Sequence, residues 1–359
     1  MRICITGASG NVGTALLRRL GAGSATGPRH ELVGVSRRRP TGPPYDGISW
    51  HEVDLAEPTA AEALAPAVAG ADAVVHTAWG FQPSHDEAYL EALGVGGTRA
   101  VLQASRAAGV GHLVHLSSLG AYSPGSKDVR VDESWPTQGI PTSPYSRHKV
   151  TAERLLDAHE DAGAAPAVAR VRPAVVVQRD AASGLLRYAL PAVVPNAVVT
   201  HLPVLPLDRD LVVQVVHADD VADAIARVLE QRATGAFNLA AEPPATRDVI
   251  AAALGARPVH VPVRALGALA AAAWRLHLQP VDPGWVDLAG GVPLLDSGRA
   301  RRELGWAPAY DTRAALDDLL AGVREGAATP TSPVLRPRAV ASQLLRSLRR
   351  GPLSSRRLP

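Results

Sequence analysis

The chain has 359 residues, 47% of them apolar and 20% charged; that is enough apolar sequence to bury a full core, and it excludes a disordered or fibrous protein. The formal net charge of +3 sits in the C-terminal tail, where Arg336, Arg338, Arg346, Arg349, Arg350, Arg356 and Arg357 stand without an acid. The remainder is net acidic, so basicity gives no reason to expect nucleic-acid binding by the fold. A single cysteine, Cys4, excludes an internal disulfide and reads as a small buried hydrophobe.

An apolar run begins at the second residue of "MRICITGASG", with no charged leader or cleavage site ahead of it, and a cytoplasmic protein is expected. Strands are predicted at "RICIT", "ELVGVS", "ADAVVHTA", "HLVHLSS" and "PAVARVRPAVVV", where β-branched residues cluster. Between them, "TALLRRLGA", "AAEALAPAVAG", "GGTRAVLQASRAAG" and "SRHKVTAERLLDAH" carry apolar residues at helical spacing. Such alternation makes βαβ units and a parallel sheet buried on both faces. From about residue 178 the pattern loosens and gains proline. It returns to strand and helix at "LVVQVVHADDVADAIARVLEQ", with Asp220 as the expected N-cap. "ALGALAAAAW" is too short to cross a bilayer and reads as a core helix.

The expected architecture is an α/β fold, a Rossmann-type doubly wound parallel sheet of residues 1–177 and 212–239. A smaller, interwoven substrate-binding lobe takes residues 178–211 and 240–325. The proline-rich "AATPTSPVLRPR" reads as a linker that ends the folded part, and residues 326–359 as a basic, disordered tail. The alternative for the tail is a basic amphipathic helix in "AVASQLLRSLRRG", with Val340, Leu344, Leu345 and Leu348 near one face and weak contact with a membrane surface.

The segment "ICITGASGNVGTALLRRL" runs from strand through a glycine turn into an amphipathic helix. Gly7, Gly10 and Gly13 let the backbone approach a pyrophosphate, which then lies at the helix N-terminus. Dinucleotide binding by Gly7, Ser9, Gly10, Asn11, Val12 and Gly13 is the expectation. At the end of the second strand, "GVSRRR" places Ser36 where NAD-binding folds carry an acid for the ribose, and Arg37 and Arg38 follow. Donors and positive charge there suit a 2′-phosphate, so NADP is preferred over NAD.

With these pieces placed, the chain resembles the extended short-chain dehydrogenase/reductase family, in its NAD-dependent epimerase/dehydratase branch, over roughly residues 1–320. The glycine turn carries the resemblance together with Asp54-Leu55 after a third strand, "VVHTAW" at 74–79, "HLSSLGAY" at 115–122 and "YSRHK" at 145–149. "RP" at 172–173, "VVHADDVA" at 215–222 and "ELGWAP" at 303–308 complete it. The resemblance implies that Ser118 hydrogen-bonds the substrate oxygen and that Tyr145 is the general acid or base. Lys149, one helix turn on, would hold the nicotinamide ribose and lower the tyrosine pKa. Asp54 and Leu55 would flank the adenine, and Thr77, Ala78, Trp79 and Pro173 would line the cofactor. A small-molecule substrate and a homodimer are implied as partners.

Departures from the family bear on the substrate. Sugar-nucleotide dehydratases carry an acid pair after the catalytic threonine, whereas Leu119 and Gly120 follow Ser118, which argues against dehydration. Gly94 replaces the usual asparagine and predicts a looser support under the site. Past Arg172-Pro173 the chain reads "AVVVQRD" where a tyrosine-glycine-proline turn is usual, and Trp79 with "LPAVVPNAVVTHLPVLPL" predicts an apolar pocket. His217, Asp219 and Asp220 read as structural, and no metal is expected. His76, His112 and His115 read as core or edge histidines, and Glu153 as a helix-surface charge. The expected reaction is reduction of a ketone or aldehyde, or its reverse. The alternatives are a sugar-nucleotide epimerase with retained NAD and, from another class, an NADP-sensing regulator without chemistry.

Overall fold

A computed structural model describes residues 1–21, 30–80, 84–189, 201–276, 281–332 and 334–337. Seven strands form its central sheet: β1 (Arg2–Thr6), β2 (Glu31–Ser36), β3 (Ser49–Glu52), β4 (Ala73–His76), β5 (His112–Leu116), β6 (Ala167–Pro173) and β7 (Gly235–Leu239). Their order is β7-β6-β5-β4-β1-β2-β3, and every neighbouring pair is parallel. The order reverses at β1, which lies between β2 and β4. At such a switch point the connections leave on opposite faces, and a crevice opens beyond the carboxyl ends of the strands.

The period-two alternation of strand side chains divides the core. Ile3, Ile5, Val75, Val114, Val171 and Phe237 pack on one face against helices α1 (Asn11–Gly21) and α5 (Ala218–Gln231). Cys4, Val33, Val35, Val74, Leu113 and Val168 face α2 (Ala60–Val68), α3 (Gly97–Ala107) and α4 (Pro144–Asp161). Burial of both faces is why the predicted strands show no regular apolar–polar alternation. After β6 the backbone leaves this sheet at Ala174, and Val175–Val177 pairs in parallel with Val215–His217.

Three expectations are corrected. The alanine-rich helix Val263–Arg275 has no buried residue, and its Leu269 is 69% exposed; its small side chains offer little area to bury, and it lies at the periphery against the helix Gly284–Gly291. The N-cap of α5 is His217, whose Nδ1 accepts from the Asp219 N–H at 3.2 Å. Asp220 instead lies buried inside the first turn and accepts from the N–H groups of Ala309 (2.7 Å) and Tyr310 (3.2 Å), which pins the "ELGWAP" segment over α5. Trp306 completes that contact by donating Nε1–H to the Asp220 carbonyl at 2.9 Å.

The third correction concerns the supposed linker. The Ser332 hydroxyl donates to the Ser9 carbonyl at 2.7 Å, and Leu335 is only 2% exposed. The Thr329 N–H closes the segment on the Leu335 carbonyl at 3.0 Å. Residues 329–337, apart from residue 333, therefore form a strap across the first βα turn, because one hydroxyl and one leucine of a proline-rich stretch find buried partners there. The amphipathic stretch of Val340, Leu344, Leu345 and Leu348 lies outside the described residues, as does most of "LPAVVPNAVVTHLPVLPL". Among the described residues no helix is long and apolar enough to cross a membrane.

Candidate active site

β1 delivers the chain into the glycine turn at the switch point. Gly7 has φ of +72°, and a Cβ there would stand 2.6 Å from the Ala78 nitrogen; a Cβ on Gly13 would stand 2.2 Å from the Gly7 oxygen. Both positions are therefore closed to any side chain. α1 begins at Asn11, so the N–H groups of its first turn, which have no intrahelical acceptor, lie at the turn. Asn11 is itself fixed: its Nδ2 donates to the Val176 carbonyl at 3.2 Å, and its Oδ1 accepts from Gln178 Nε2 at 2.5 Å.

A cavity of about 380 Å³ runs from this turn along the strand ends. Gly7, Ser9, Gly10, Asn11, Val12 and Gly13 line it, as do Ser36, Arg37, Leu55, Thr77, Ala78, Trp79 and Pro173, and so do Ser118, Tyr145 and Lys149. No aspartate or glutamate lines it among the described residues. Such a cradle fits the pyrophosphate of a dinucleotide, with a helix N-terminus, glycine walls and no opposing carboxylate.

Two residues expected at the cofactor stand outside the cavity wall. The Asp54 carboxylate turns to its own turn, accepting from the Ala56 N–H at 3.0 Å, and to the Tyr89 hydroxyl at 3.5 Å. Arg37 donates to that same Tyr89 hydroxyl at 2.6 Å, so Tyr89 links the arginine to the acid. Arg38 does not line the cavity; its carbonyl accepts from the Ser36 hydroxyl at 2.8 Å, and burial with the charges of Arg336 and Arg37 lowers its guanidinium pKa. Tyr89 had no sequence signal, since its contact with Asp54 spans separate elements.

At the far end, Ser143 caps α4 and Pro144 opens it, so Tyr145 and Lys149 stand one turn apart on one face. The Ser118 hydroxyl accepts from the Gly120 N–H at 3.0 Å and is hydrogen-bonded to the Tyr145 phenol. A Cβ on Gly120 would stand 3.0 Å from the Tyr145 ring. Burial pushes the Tyr145 phenol up to about 12, against the Ser118 hydrogen bond, which pulls it down. Lys149 is itself buried, which holds its amine well below the ordinary range, with the Glu153 charge working the other way.

The Lys149 Nζ donates to the Leu116 carbonyl at 2.9 Å and lies 3.5 Å from the centre of the Trp79 ring. Trp79 meets the Tyr145 ring edge-on, with centroids 6.4 Å apart, and Trp285 lies 5.1 Å from the same tyrosine on another side. Gly94 sits in the π-helical turn Ala92–Gly96 before α3, and a Cβ there would stand 2.9 Å from the Trp79 indole. The looser support predicted from Gly94 is therefore corrected: the indole fills the space that the missing side chain leaves.

Beneath the site lies a buried ionic network that overturns the surface reading of Glu153. Its carboxylate is 1% exposed and accepts from Ser117 Oγ at 2.5 Å, from Arg170 Nη1 at 2.9 Å, and from Arg172 Nε and Nη2 at 2.9 Å each. Arg172 reaches on to the Tyr122 hydroxyl at 3.0 Å, and Tyr122 donates to Asn238 Oδ1 at 2.7 Å. The ionic partners Arg170 and Arg172 come from β6, which an i, i+4 helix pattern does not anticipate. Among the histidines, His76 bonds Thr6 at 2.7 Å and Thr98 at 3.2 Å, and His112 bonds the Ala233 carbonyl at 3.0 Å. His115 is buried too, with neither ring nitrogen hydrogen-bonded, and burial keeps it neutral. Among the described residues no group of three or more His, Cys, Asp or Glu is placed to hold a metal.

Lys127, Trp285 and Leu335 also line the cavity and were missed. Trp285 and Leu335 reach it through tertiary packing that no local pattern reports. Lys127 did carry a signal, because the chain has only two lysines and the other is Lys149.

A Rossmann-type sheet with a dinucleotide turn and a Ser-Tyr-Lys constellation defines the short-chain dehydrogenase/reductase class. The chain belongs to the NAD dependent epimerase/dehydratase family, whose model matches residues 3–240. Over 327 residues it is 30% identical to an uncharacterized protein of Mycobacterium tuberculosis, covering 90% of this chain but 30% of that protein. The chain thus spans under a third of the length of that relative. It is 31% identical over 182 residues to the 2-alkyl-3-oxoalkanoate reductase of Stenotrophomonas maltophilia, covering 48% of this chain and 50% of the reductase. The fold is shared with the dTDP-glucose 4,6-dehydratase of Streptomyces venezuelae, solved with NAD (TM-score 0.68, 23% identity, 92% of this chain and 100% of that one). It is shared as well with the Thermus thermophilus UDP-glucose 4-epimerase, also solved with NAD (TM-score 0.66, 20% identity, 90% and 99%).

Proposed function

We propose that the chain reduces a ketone or aldehyde, or oxidises the corresponding alcohol, with NADP preferred over NAD. The observation that carries this reading is the meeting of Ser118, Tyr145 and Lys149 at the end of the crevice that starts at the Gly7 to Gly13 turn. A bound nicotinamide supplies the hydride. The turn and the N-terminus of α1 hold the pyrophosphate, and Arg37 with Ser36 suits a 2′-phosphate at the adenosine end. Ser118 and Tyr145 address the substrate oxygen. Tyr145, whose burial keeps the phenol protonated, passes its Oη proton to that oxygen as negative charge grows there. Lys149 orients the ribose and stabilises the phenolate left behind. The lobe of residues 178–211 and 240–325 is the substrate side in this reading, contributing Leu185, Trp285 and Leu288.

The relatives support reduction over dehydration or epimerisation. Besides the oxoalkanoate reductase, a ketoreductase of Stigmatella aurantiaca is 30% identical over 159 residues. The epimerase and dehydratase likenesses are likenesses of fold. Leu119 and Gly120 after Ser118 leave no acid in the position a dehydratase uses.

The test is to purify the protein, identify any bound nucleotide, and screen carbonyl compounds for NADPH consumption. Tyr145→Phe lowers turnover by roughly 100-fold or more and leaves NADPH affinity in place; Arg37→Ala weakens NADPH more than NADH. Tightly retained NAD with no net NADPH turnover refutes the reductase in favour of the epimerase. NADPH binding without turnover of any carbonyl favours the sensing regulator.

A further inference from the structure

We propose that Lys127 is an anion-binding residue at the substrate end of the crevice, and that the substrate is an amphipathic carboxylic acid whose apolar body lies along Trp285, Leu288 and Val292. The chain uses arginine for all but two of its 37 basic residues, and both lysines, Lys127 and Lys149, line this one cavity. An ammonium is a compact point charge with three donors, where a guanidinium is a broad planar fork. Lys127 spends two of its donors on the carbonyls of Val292 (2.6 Å) and Ala289 (3.1 Å). The third remains for a ligand.

Those carbonyls close the helix Gly284–Gly291, so they orient the ammonium without supplying a full negative charge. The neighbouring Asp128 is engaged with the Ser126 hydroxyl at 2.7 Å, and among the described residues no carboxylate stands within ion-pair distance of Lys127. Burial lowers its pKa to about 8. A half-buried cation without a counter-charge loses part of its hydration uncompensated, and a bound anion would supply what is missing. The position is rigid: the Gly125 N–H donates to the Gly291 carbonyl at 3.1 Å, and a Cβ on Gly125 would stand 2.7 Å from Pro293. One cation with one remaining donor suits a monoanionic carboxylate, while a phosphate dianion calls for several donors. The apolar wall then takes the hydrocarbon part.

This inference rests on the proposed site for its reacting oxygen, but it can be tested by binding alone. Decanoate and decan-1-ol, equal in chain length, are titrated calorimetrically into the full chain with NADPH present. The variants are Lys127→Gln, which keeps donors for both carbonyls and removes the charge, and Lys127→Arg, which keeps the charge. The Gln variant is expected to bind decanoate on the order of tenfold more weakly, as for the loss of one charge-assisted hydrogen bond. Decan-1-ol binding stays within about twofold, and the Arg variant recovers much of the decanoate affinity. Equal losses for acid and alcohol, or unchanged decanoate binding in the Gln variant, would show that Lys127 only caps a helix and overturn the inference. So would a wild-type chain that prefers the alcohol. Failure of the reductase reading registers separately, as an absence of carbonyl turnover while decanoate still binds.

Discussion

Glu153→Gln tests the ionic network under the active site. In the native chain, burial alone would raise the Glu153 carboxyl, but the hydrogen bonds and charge of Arg172, with Arg170 and Ser117, hold it at about 2 instead of the ordinary 4.5. A folded-state value below the unfolded one means that the stabilisation is complete above about pH 4.5 and is lost as pH falls towards 2. At about 1.4 kcal/mol per tenfold change in proton affinity, the depression corresponds to about 3 kcal/mol. Removing one partner of a buried ion pair costs ~3–5 kcal/mol in general, so the two routes agree. Urea unfolding of the wild type and the variant, followed by circular dichroism, measures it. The gap at pH 7 should be about 3 kcal/mol and should narrow as the pH is lowered below 4.5. A gap under ~0.5 kcal/mol at pH 7, the range of an exposed charge, would refute the reasoning; so would a gap that ignores pH.

Burial pushes the Cys4 thiol up to about 12, so at pH 8 it should resist a thiol reagent such as DTNB until urea unfolds the chain; fast labelling of native protein would contradict its place in β1. Gly94→Ala puts a methyl 2.9 Å from the Trp79 indole, which should cost ~1–3 kcal/mol of stability as overpacking and should lower NADPH turnover by moving the ring off Lys149. Pairing it with Trp79→Phe should recover part of the stability in a double-mutant cycle, and strict additivity would mean the two positions do not touch.

Much of the architecture was legible because its physics is local. β1, β2, β4, β5 and β6 are buried on both faces, so each is rich in valine, isoleucine or leucine. The glycine turn is written in the positions where no Cβ fits, and the Tyr145 and Lys149 pair in a single helix turn. β3 was harder, since "SWHE" lies at the sheet edge with no buried residue and carries no apolar pattern. Glu153 looks like an ordinary surface charge until β6, with Arg170 and Arg172, is laid beside α4. The helix Val263–Arg275 misleads in the opposite sense: its composition is that of a core, but alanine side chains do not compel burial. Asp54 kept its family position while its carboxylate turned to Tyr89, a contact set by side-chain geometry that motif spacing does not carry.

The hydrogen bond from Ser332 to Ser9 joins positions 323 residues apart. Synthesis runs from the N- to the C-terminus, so β1 and the glycine turn can dock with β2 and β4 before residue 332 is made. The leucine that closes one wall of their crevice, Leu335, arrives long after β7 has completed the sheet. The nascent sheet therefore acquires its order well before its cofactor crevice is whole, and a ribosome stalled near residue 325 would hold a sheet whose first βα turn still faces water.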